Sequence, residues 1–383
     1  MKRVGNLYNK ICDIDIIIDM YKIIEKNTKN KLKIKKFNQF FSCNIIDVKN
    51  IIVSKNYIPK EYNIFLIREP KLRIIMSQNI KDKIINHLVA KYFLQDVFEK
   101  TFIDTTVATR KGKGTDYGIK MIKKYLNEMK NKYNNFYYLK FDISKYFYNM
   151  DHSIMKKIIK HKIKDKDVLN IINSIIDSTD KEYINKRIIE LKNNEIDKIK
   201  KLNINLNDKN NMINEVNSIP LYEKGKGFPI GNMTSQIFSL IYLNELCHFI
   251  KEKLKVKYFI LYMDDGILFH KNKEYLKYCK KEIENILFKY NLSFNEKKTI
   301  IGNIKEGIDF LGFRYYINYN KILVKVRKQT KNKFKRKIKK LYKLVKEDKI
   351  SQSYLYQVKS SYLGHLRYGS TKGLIYNVIK NIN

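Results

Sequence analysis

The chain has 383 residues and a hydrophobic fraction of 44%, which allows two or three domains with a sizeable core and excludes a disordered chain. Lysine and arginine number 78 against 38 acids, so the formal net charge is +40 and nucleic acid is the favoured partner. The four scattered cysteines argue against a zinc site or a disulfide framework and fit a reducing cytosol, and no apolar run is long enough for a membrane span.

The first 135 residues predict helices around one hairpin. Residues 1–60 have mostly helical spacing and no apolar stretch typical of a signal peptide. The segment NIFLIREPKLRIIM, from Asn63, predicts two short strands around a Glu69-Pro70 turn, because proline interrupts strand pairing. Residues 79–100 are again helical, with His87 on an apolar face as a core histidine, and the basic loop KGKGT precedes a helix that ends near Lys132.

The next 180 residues alternate strands and helices. FYYLKFDI (136–143) predicts a strand that ends in an acid, and residues 151–200 predict charged helices. The Asn-rich stretch 201–224 is expected to be a flexible insertion. After an apolar helix at 235–251, KYFILYMDDGILFH (257–270) predicts a strand, a turn with acids at its tip, and a second strand. A helix at 272–290 and two short strands near 299–317 complete this part.

The C-terminal part is strongly basic. Residues 321–346 contain thirteen lysines and arginines and no acid. The spacing of Phe334, Ile338 and Leu341 predicts one amphipathic helix. A helix with charges of one sign cannot form ion pairs within itself, which favours contact with a nucleic-acid backbone. A solvated face and an AT-rich coding bias toward lysine are the alternatives.

Three acids form the candidate catalytic set. Asp142 ends an apolar strand, and Asp264 and Asp265 lie between two apolar strands. Acids at strand ends are costly unless they are exposed, paired or bound to metal. Three converging carboxylates would suit two Mg²⁺ ions, and such a pair of ions supports in-line phosphoryl transfer.

The motifs together resemble those of reverse transcriptases, in the same order. YMDD (262–265) resembles the catalytic hairpin, and KFDISKYFYNMDH (140–152) resembles the first catalytic-acid motif. GFPIGNMTSQIFSLIYLNEL (227–246) resembles the template- and dNTP-positioning motif. NEKKT (295–299), IDFLGFRYY (308–316) and REPKLR (68–73) resemble the lysine motif, the primer-grip hairpin and the basic fingers hairpin.

A narrower resemblance is to the bacterial reverse transcriptases of diversity-generating retroelements. The segments that show this resemblance are GNMTSQ (231–236), with Ile230-Gly231 in place of a Gln-Gly pair, together with MKRVGNLYNKI (1–11), TRKGKGT (109–115) and SSYLGHLRYGS (360–370). No HNH-type cluster, maturase extension or RNase H acid set is found in the sequence.

The resemblance implies a role for each matching residue. Asp142, Asp264 and Asp265, with the Ile143 carbonyl, would hold two Mg²⁺ ions, for which Mn²⁺ can substitute. Lys298 would protonate the leaving pyrophosphate, with Lys297 as the alternative donor.

Further residues are implied to contact the incoming nucleotide. Lys71 and Arg73, expected to alternate on one strand face, would bind its β- and γ-phosphates. Phe147 would exclude a ribose 2′-OH, unless it is a core aromatic. The positioning motif contributes Ile230, Gly231 and Gln236. An apolar Ile230 would discriminate mispairs by shape alone, which predicts reduced fidelity opposite template adenine.

The expected fold is α+β, a right-hand polymerase with a small antiparallel palm sheet and a helical thumb. Its predicted parts are an N-terminal extension and fingers (1–135), a palm (136–317) with an inserted segment at about 151–225, and a basic thumb (318–383).

The expected function is to copy a template RNA into cDNA from a primer strand and dNTPs, in a bacterial or phage-encoded cytoplasmic protein. A small basic accessory protein or a non-coding RNA would be a further partner, and no membrane is involved. The alternatives are a phage-defence reverse transcriptase and a non-catalytic RNA-binding protein.

Overall fold

The computed structural model describes residues 3–69, 71–318, 321–371, 373, 375 and 376. The described chain is mixed helix and strand, which confirms the predicted α+β class. Its helices are α1 (Ile14–Asn27), α2 (Lys31–Asn38), α3 (Phe41–Val53), α4 (Ile80–Leu88), α5 (Asp96–Phe98), α6 (Thr115–Lys132), α7 (Tyr146–Asn149), α8 (His152–Lys162), α9 (Lys166–Ile176), α10 (Glu182–Lys200), α11 (Leu206–Asn217), α12 (Met233–Tyr242), α13 (Asn244–His248), α14 (Lys273–Lys289), α15 (Lys328–Lys346) and α16 (Gln352–Leu366).

The strands form three small sheets. Their bounds are β1 (Asn63–Ile67), β2 (Arg73–Ser77), β3 (Tyr137–Asp142), β4 (Tyr258–Tyr262), β5 (Asp265–His270), β6 (Ile300–Asn303), β7 (Ile308–Phe310), β8 (Phe313–Asn318) and β9 (Lys321–Val326). The first sheet is the hairpin β1–β2, the second has the order β4-β5-β3-β6, and the third has the order β7-β8-β9. The antiparallel pairs include β1–β2, β4–β5, β3–β6 and both pairs of the third sheet.

The chain divides into two compact units that interleave in sequence. Unit 1 comprises Met1–Asp104, Asp142–Phe249 and Glu282–Asn295, and unit 2 comprises Thr105–Phe141, Ile250–Lys281 and Glu296–Asn383. The division falls inside β3, between Phe141 and Asp142. The predicted boundaries near residues 135 and 317 therefore stay a prediction.

Each unit has its own apolar core. In unit 1 the β1–β2 hairpin packs on α10 through Ile64, Ile74 and Ile188. In unit 2 helix α6 packs on the second and third sheets, with Leu126, Ile260 and Phe313 among the fully buried side chains. Alternating apolar positions on the strands and a 3.6-residue period on the helices supply these buried faces.

Two expectations about local structure are wrong. The Asn-rich stretch, expected to be a flexible insertion, contains the regular helix α11: the Asn205 side chain caps its first turn, and Val216 is buried. Residues 321–326, expected as the start of a helical thumb, instead pair with β8 as strand β9, and helix begins only at Lys328. Pro70 of the predicted hairpin turn lies outside the described residues, although the strands on both sides of it form as predicted.

The predicted basic helix is α15, and Phe334, Ile338 and Leu341 form its buried face. The four cysteines all lie within the described residues and form no disulfide there. Within the described part of the chain, no helix is both long enough and apolar enough to cross a membrane.

Candidate active site

The YMDD segment forms a tight hairpin in unit 2. Tyr262 at the end of β4 pairs with Asp265 at the start of β5, so Met263 and Asp264 alone make the turn. Met263 has φ +56°, a region that bulky residues rarely adopt and that is found at functional sites. Asp264 and Asp265 are half-buried, so their carboxylates retain access to solvent and ligands.

The strand that carries Asp142 is the neighbour of this hairpin in the sheet. Strand β3 lies beside β5, and the Phe141 ring lies directly over the Gly266 backbone. A Cβ on Gly266 would be 2.1 Å from Cζ of Phe141, so only glycine permits this approach. Phe141 is the residue before Asp142 in the chain, and Gly266 is the residue after Asp265.

The backbone after Asp142 leaves one carbonyl directed away from its neighbours. The Asp142 C=O accepts from the Asn295 N–H at 2.8 Å, and the Ser144 N–H donates to the Ser293 C=O at 2.9 Å. These two bonds flank Ile143, whose own C=O points to the other side in such an antiparallel pair. The Ile143 carbonyl oxygen therefore lies next to Asp142 and outside the strand pairing. Asp142 itself is only 5% exposed.

Lys298 lies in an exposed turn before β6. Strand β6 begins at Ile300, opposite Lys140 of β3, and the two strands are antiparallel. The turn therefore enters the second sheet at the end where β3 finishes. Lys297 is also exposed in the same turn.

In unit 1, Phe147 is connected to the positioning motif through its backbone. Its C=O accepts from the Phe228 N–H at 2.7 Å, and its side chain is half-buried rather than enclosed. The neighbouring Tyr146 is fully buried and donates to the Ser239 C=O at 2.6 Å, which anchors α7 to α12. Phe147 is therefore a partly open aromatic on a rigid turn.

The positioning motif is also joined to the fingers hairpin. The Met76 N–H of β2 donates to the Ile230 C=O at 3.0 Å. Gly231 has φ +131°, and a Cβ there would lie 2.7 Å from the Met76 carbonyl oxygen, so the motif requires glycine at this position. Ile230 is half-buried and Gly231 is exposed beside β2.

Contrary to expectation, Arg73 and Lys71 do not share a strand face. Strand β2 begins at Arg73, which pairs with Ile67, and Lys71 lies in the bend before it. Both side chains are exposed. Arg68, on the other side of the turn, forms an ion pair with Glu195 of α10, which holds the hairpin against that helix.

A buried polar network fixes the start of α12, and sequence reasoning missed its members. Asn86 of α4 accepts from the Thr234 hydroxyl at 2.7 Å and from its N–H at 3.2 Å. The Asn232 amide donates to the Tyr62 hydroxyl at 3.0 Å, and burial raises the pKa of Tyr62 to about 12. Because Tyr62 and Asn86 are far in sequence from Asn232 and Thr234 and all four are polar, no periodicity could have assigned them. Gln236 follows this network and is half-buried.

In unit 2 a pocket of about 530 Å³ brings together segments that the sequence presented separately. Phe313 of the primer-grip strand packs 4.9 Å from the His365 ring of α16, and burial lowers the pKa of His365. The side chains come from the TRKGKGT loop and α6, the YMDD hairpin, the primer-grip hairpin and the C-terminal helix. They are Thr115, Asp116, Tyr262, Leu311, Gly364, His365, Arg367 and Tyr368.

Comparison with known proteins gives a family model, a curated protein and a set of solved structures. Residues 58–315 match the family model described as "Reverse transcriptase (RNA-dependent DNA polymerase)", which is more than half of the chain. The chain is 25% identical over 323 residues to the "Putative COX1/OXI3 intron 2 protein" of Saccharomyces cerevisiae, with 74% of this chain and 36% of that protein covered. The chain thus spans about a third of the length of this curated relative.

Solved structures of telomerases are also similar. The C-terminally truncated apo telomerase of Candida tropicalis has a TM-score of 0.47 at 18% identity and covers 70% of this chain and 55% of that chain. The telomerase of Candida albicans with a telomeric RNA fragment has a TM-score of 0.42 at 14% identity, with 86% and 58% covered.

Proposed function

Because the chain belongs to the reverse transcriptase (RNA-dependent DNA polymerase) family, we propose that it is an RNA-directed DNA polymerase that copies a template RNA into cDNA. The contact of Phe141 with Gly266 supports this most directly, because these two residues are the chain neighbours of Asp142 and Asp265. The family membership carries with it the right-hand polymerase fold, with fingers, palm and thumb.

The residues at these strand ends fit a pair of magnesium ions. Asp142, Asp264 and Asp265 supply carboxylate oxygens, the Ile143 carbonyl is directed away from strand pairing, and oxygen atoms are the ligands that Mg²⁺ prefers. Two bound Mg²⁺ ions, or Mn²⁺ in their place, would stabilise both the attacking and the leaving oxygens of an in-line displacement.

The chain's own residues would orient the reactants. The primer 3′-OH attacks the α-phosphate of a dNTP and loses its proton to solvent, the bond to pyrophosphate breaks, and Lys298 would give a proton to the leaving pyrophosphate. Arg73 and Lys71, exposed at the start of β2, would bind the β- and γ-phosphates. Phe147, held by its bond to Phe228, would meet the 2′ position of the sugar.

The pocket of unit 2 is the place proposed for the primer end. It contains Tyr262 of the catalytic hairpin, Leu311 of the primer grip and Arg367 of the C-terminal segment. An aromatic ring, an apolar side chain and a guanidinium suit a base and its phosphate. The exposed lysines of α15 would extend this contact along the backbone of the primer–template.

The finer proposal is an adenine-mutagenic polymerase of a diversity-generating retroelement. Ile230 is half-buried, and its backbone carbonyl accepts from the Met76 N–H. Its side chain offers shape and no polar anchor to the nascent pair, and shape alone discriminates weakly. Ile230→Gln should therefore lower misincorporation opposite template adenine.

The test is extension of a primed RNA template with dNTPs and Mg²⁺, followed by sequencing of the products. Asp264→Asn should abolish extension and keep RNA affinity, because it removes a metal ligand and no phosphate contact. Asp197→Asn, which changes an exposed acid on α10, is the matched control and should remain active. Full extension by Asp264→Asn contradicts the catalytic assignment, and absence of extension by the unmodified chain indicates a non-catalytic RNA-binding protein.

A further inference from the structure

A second group of metal-ligating side chains lies in unit 1 and takes no part in the proposed chemistry. His152 begins α8, and Asp177 and Asp180 begin and end the short 3₁₀ turn after α9. His152 Nδ1 is 3.4 Å from Asp177 Oδ1 and 3.6 Å from Asp180 Oδ2. One ligand atom from each residue lies within 4.8 Å of the other two.

The histidine has a defined tautomer and an unsatisfied nitrogen. Its Nε2 is 2.8 Å from the Gly227 carbonyl oxygen, which only accepts, so Nε2 carries a hydrogen and donates. The side chain is 3% exposed, and Nδ1 has no hydrogen-bond partner among the described residues. In the neutral ring its lone pair is directed at two carboxylates, which is repulsive unless a cation lies between them.

The remaining atoms of all three side chains are already held. Lys156 Nζ lies 2.6 Å from Asp177 Oδ2, and the Gly225 N–H donates to Asp180 Oδ1 at 2.8 Å. Each carboxylate therefore keeps one oxygen for the histidine side of the cluster. Metal ligands in proteins have this arrangement, because outer hydrogen bonds orient them.

We propose that His152 Nδ1, Asp177 Oδ1 and Asp180 Oδ2 bind one divalent ion of the zinc class, with water as the fourth ligand. At metal–ligand distances of about 2.0–2.1 Å, tetrahedral angles separate two ligand atoms by about 3.3 Å and octahedral angles by about 2.9 Å. The observed 3.4 and 3.6 Å are closer to the tetrahedral than to the octahedral separation. Two carboxylates against Lys156 leave a net charge of −1 around a neutral ring, which attracts a dication.

The ion would fix the loop that leads into the positioning motif. The His152 N–H donates to the Gly225 C=O at 2.9 Å, and the Gly227 N–H donates to the Met150 C=O at 2.8 Å. Phe228 and Ile230 follow directly in sequence. The ion therefore has a positional role, and it is distinct from the ions proposed at Asp264.

The test is titration of the metal-free full chain with Co²⁺, followed by displacement with Zn²⁺. We expect one equivalent with the intense visible absorption of tetrahedral cobalt, and Zn²⁺ should abolish that absorption. Asp180→Asn can keep the bond to Gly225 through its amide oxygen, and it should weaken Zn²⁺ binding at least 100-fold, beyond the roughly 10–100-fold typical of outer partners. His152→Gln should abolish binding.

Two control variants separate this site from the polymerase site. Asp264→Asn should lose polymerase activity and keep the cobalt spectrum, and Asp197→Asn should keep both. A cobalt equivalent that is lost in Asp264→Asn but kept in Asp180→Asn overturns the proposal. Absence of tetrahedral cobalt in the unmodified chain also overturns it.

Discussion

Gly266 is the position where the least change should have the largest effect on the active site. A Cβ there would lie 2.1 Å from Cζ of Phe141 and 2.4 and 2.7 Å from the two Cε atoms. An ordinary carbon contact is about 3.5 Å, so the ring must retreat by about 1.4 Å. Phe141 is 0% exposed and has no open space to enter, so we expect Gly266→Ala to lower the free energy of unfolding by about 1–3 kcal/mol.

The effect on catalysis should exceed the effect on stability. Displacement of Phe141 moves the strand ends that carry Asp142 and Asp265, and a shift of about 1 Å costs on the order of 100-fold in rate. RNA affinity should stay unchanged, because neither Gly266 nor Phe141 presents a charge. The assays are urea unfolding followed by circular dichroism, and single-nucleotide addition on saturating primer–template.

A second substitution at Phe141 tests whether the steric clash with its ring causes the loss of stability. Phe141→Leu creates space, so Gly266→Ala should cost at least about 1 kcal/mol less in that background than in the original chain. Gly373→Ala, where a new Cβ meets nothing within 4 Å, is the control and should change stability by less than about 0.5 kcal/mol. If Gly266→Ala keeps both stability and rate, the close contact does not exist and the reasoning is refuted.

Three other predictions follow from the same structure. Phe147→Ala should raise rNTP incorporation relative to dNTP, and an unchanged ratio in competition assays would make Phe147 a packing residue only. Lys335 and Lys339 are exposed on α15, so changing both to Gln should flatten the slope of log affinity against log salt by roughly 1.5 units, measured by binding at several salt concentrations. Burial lowers the pKa of His87 to about 4, below its usual 6.5, so its stabilising effect is present above pH 6.5 and is lost as the pH falls toward 4. Between pH 7 and pH 4.5 the unmodified chain should lose about 2 kcal/mol more unfolding free energy than the His87→Gln variant, a figure reduced for the partial exposure of His87. Equal losses in the two proteins would contradict this prediction.

The local sequence pattern was sufficient to predict most helices and strands and to single out the candidate acids. Helix α6 ends at Lys132 and α15 buries Phe334 and Ile338, as their periodicity predicts, because a helical face is encoded at a spacing of three to four residues. The YMDD hairpin forms as predicted because two apolar strands flank a short polar turn. The acids could be singled out from sequence, since a carboxylate at a strand end is costly without a role.

Composition misled where packing decided the outcome. The Asn-rich stretch has the content of a loop, yet α11 forms in it because Asn205 caps its first turn and Val216 is buried. Residues 321–326 continue a basic run, yet they form β9 because β8 offers an unpaired edge beside them. Local composition and charge do not show that Asn205 caps a helix or that the edge of β8 lies beside residues 321–326.

Only the tertiary structure decided which distant residues meet. The ring of Phe141 over Gly266, the bond from Met76 to Ile230, and the approach of His152 to Asp180 each join segments far apart or unrelated by any period. A sequence specifies such contacts only through the whole fold, because a backbone hydrogen bond or a missing Cβ leaves no pattern along the chain. The sequence motifs thus indicated the reaction. The packing of glycines, carbonyls and buried polar groups determines where the motif residues lie.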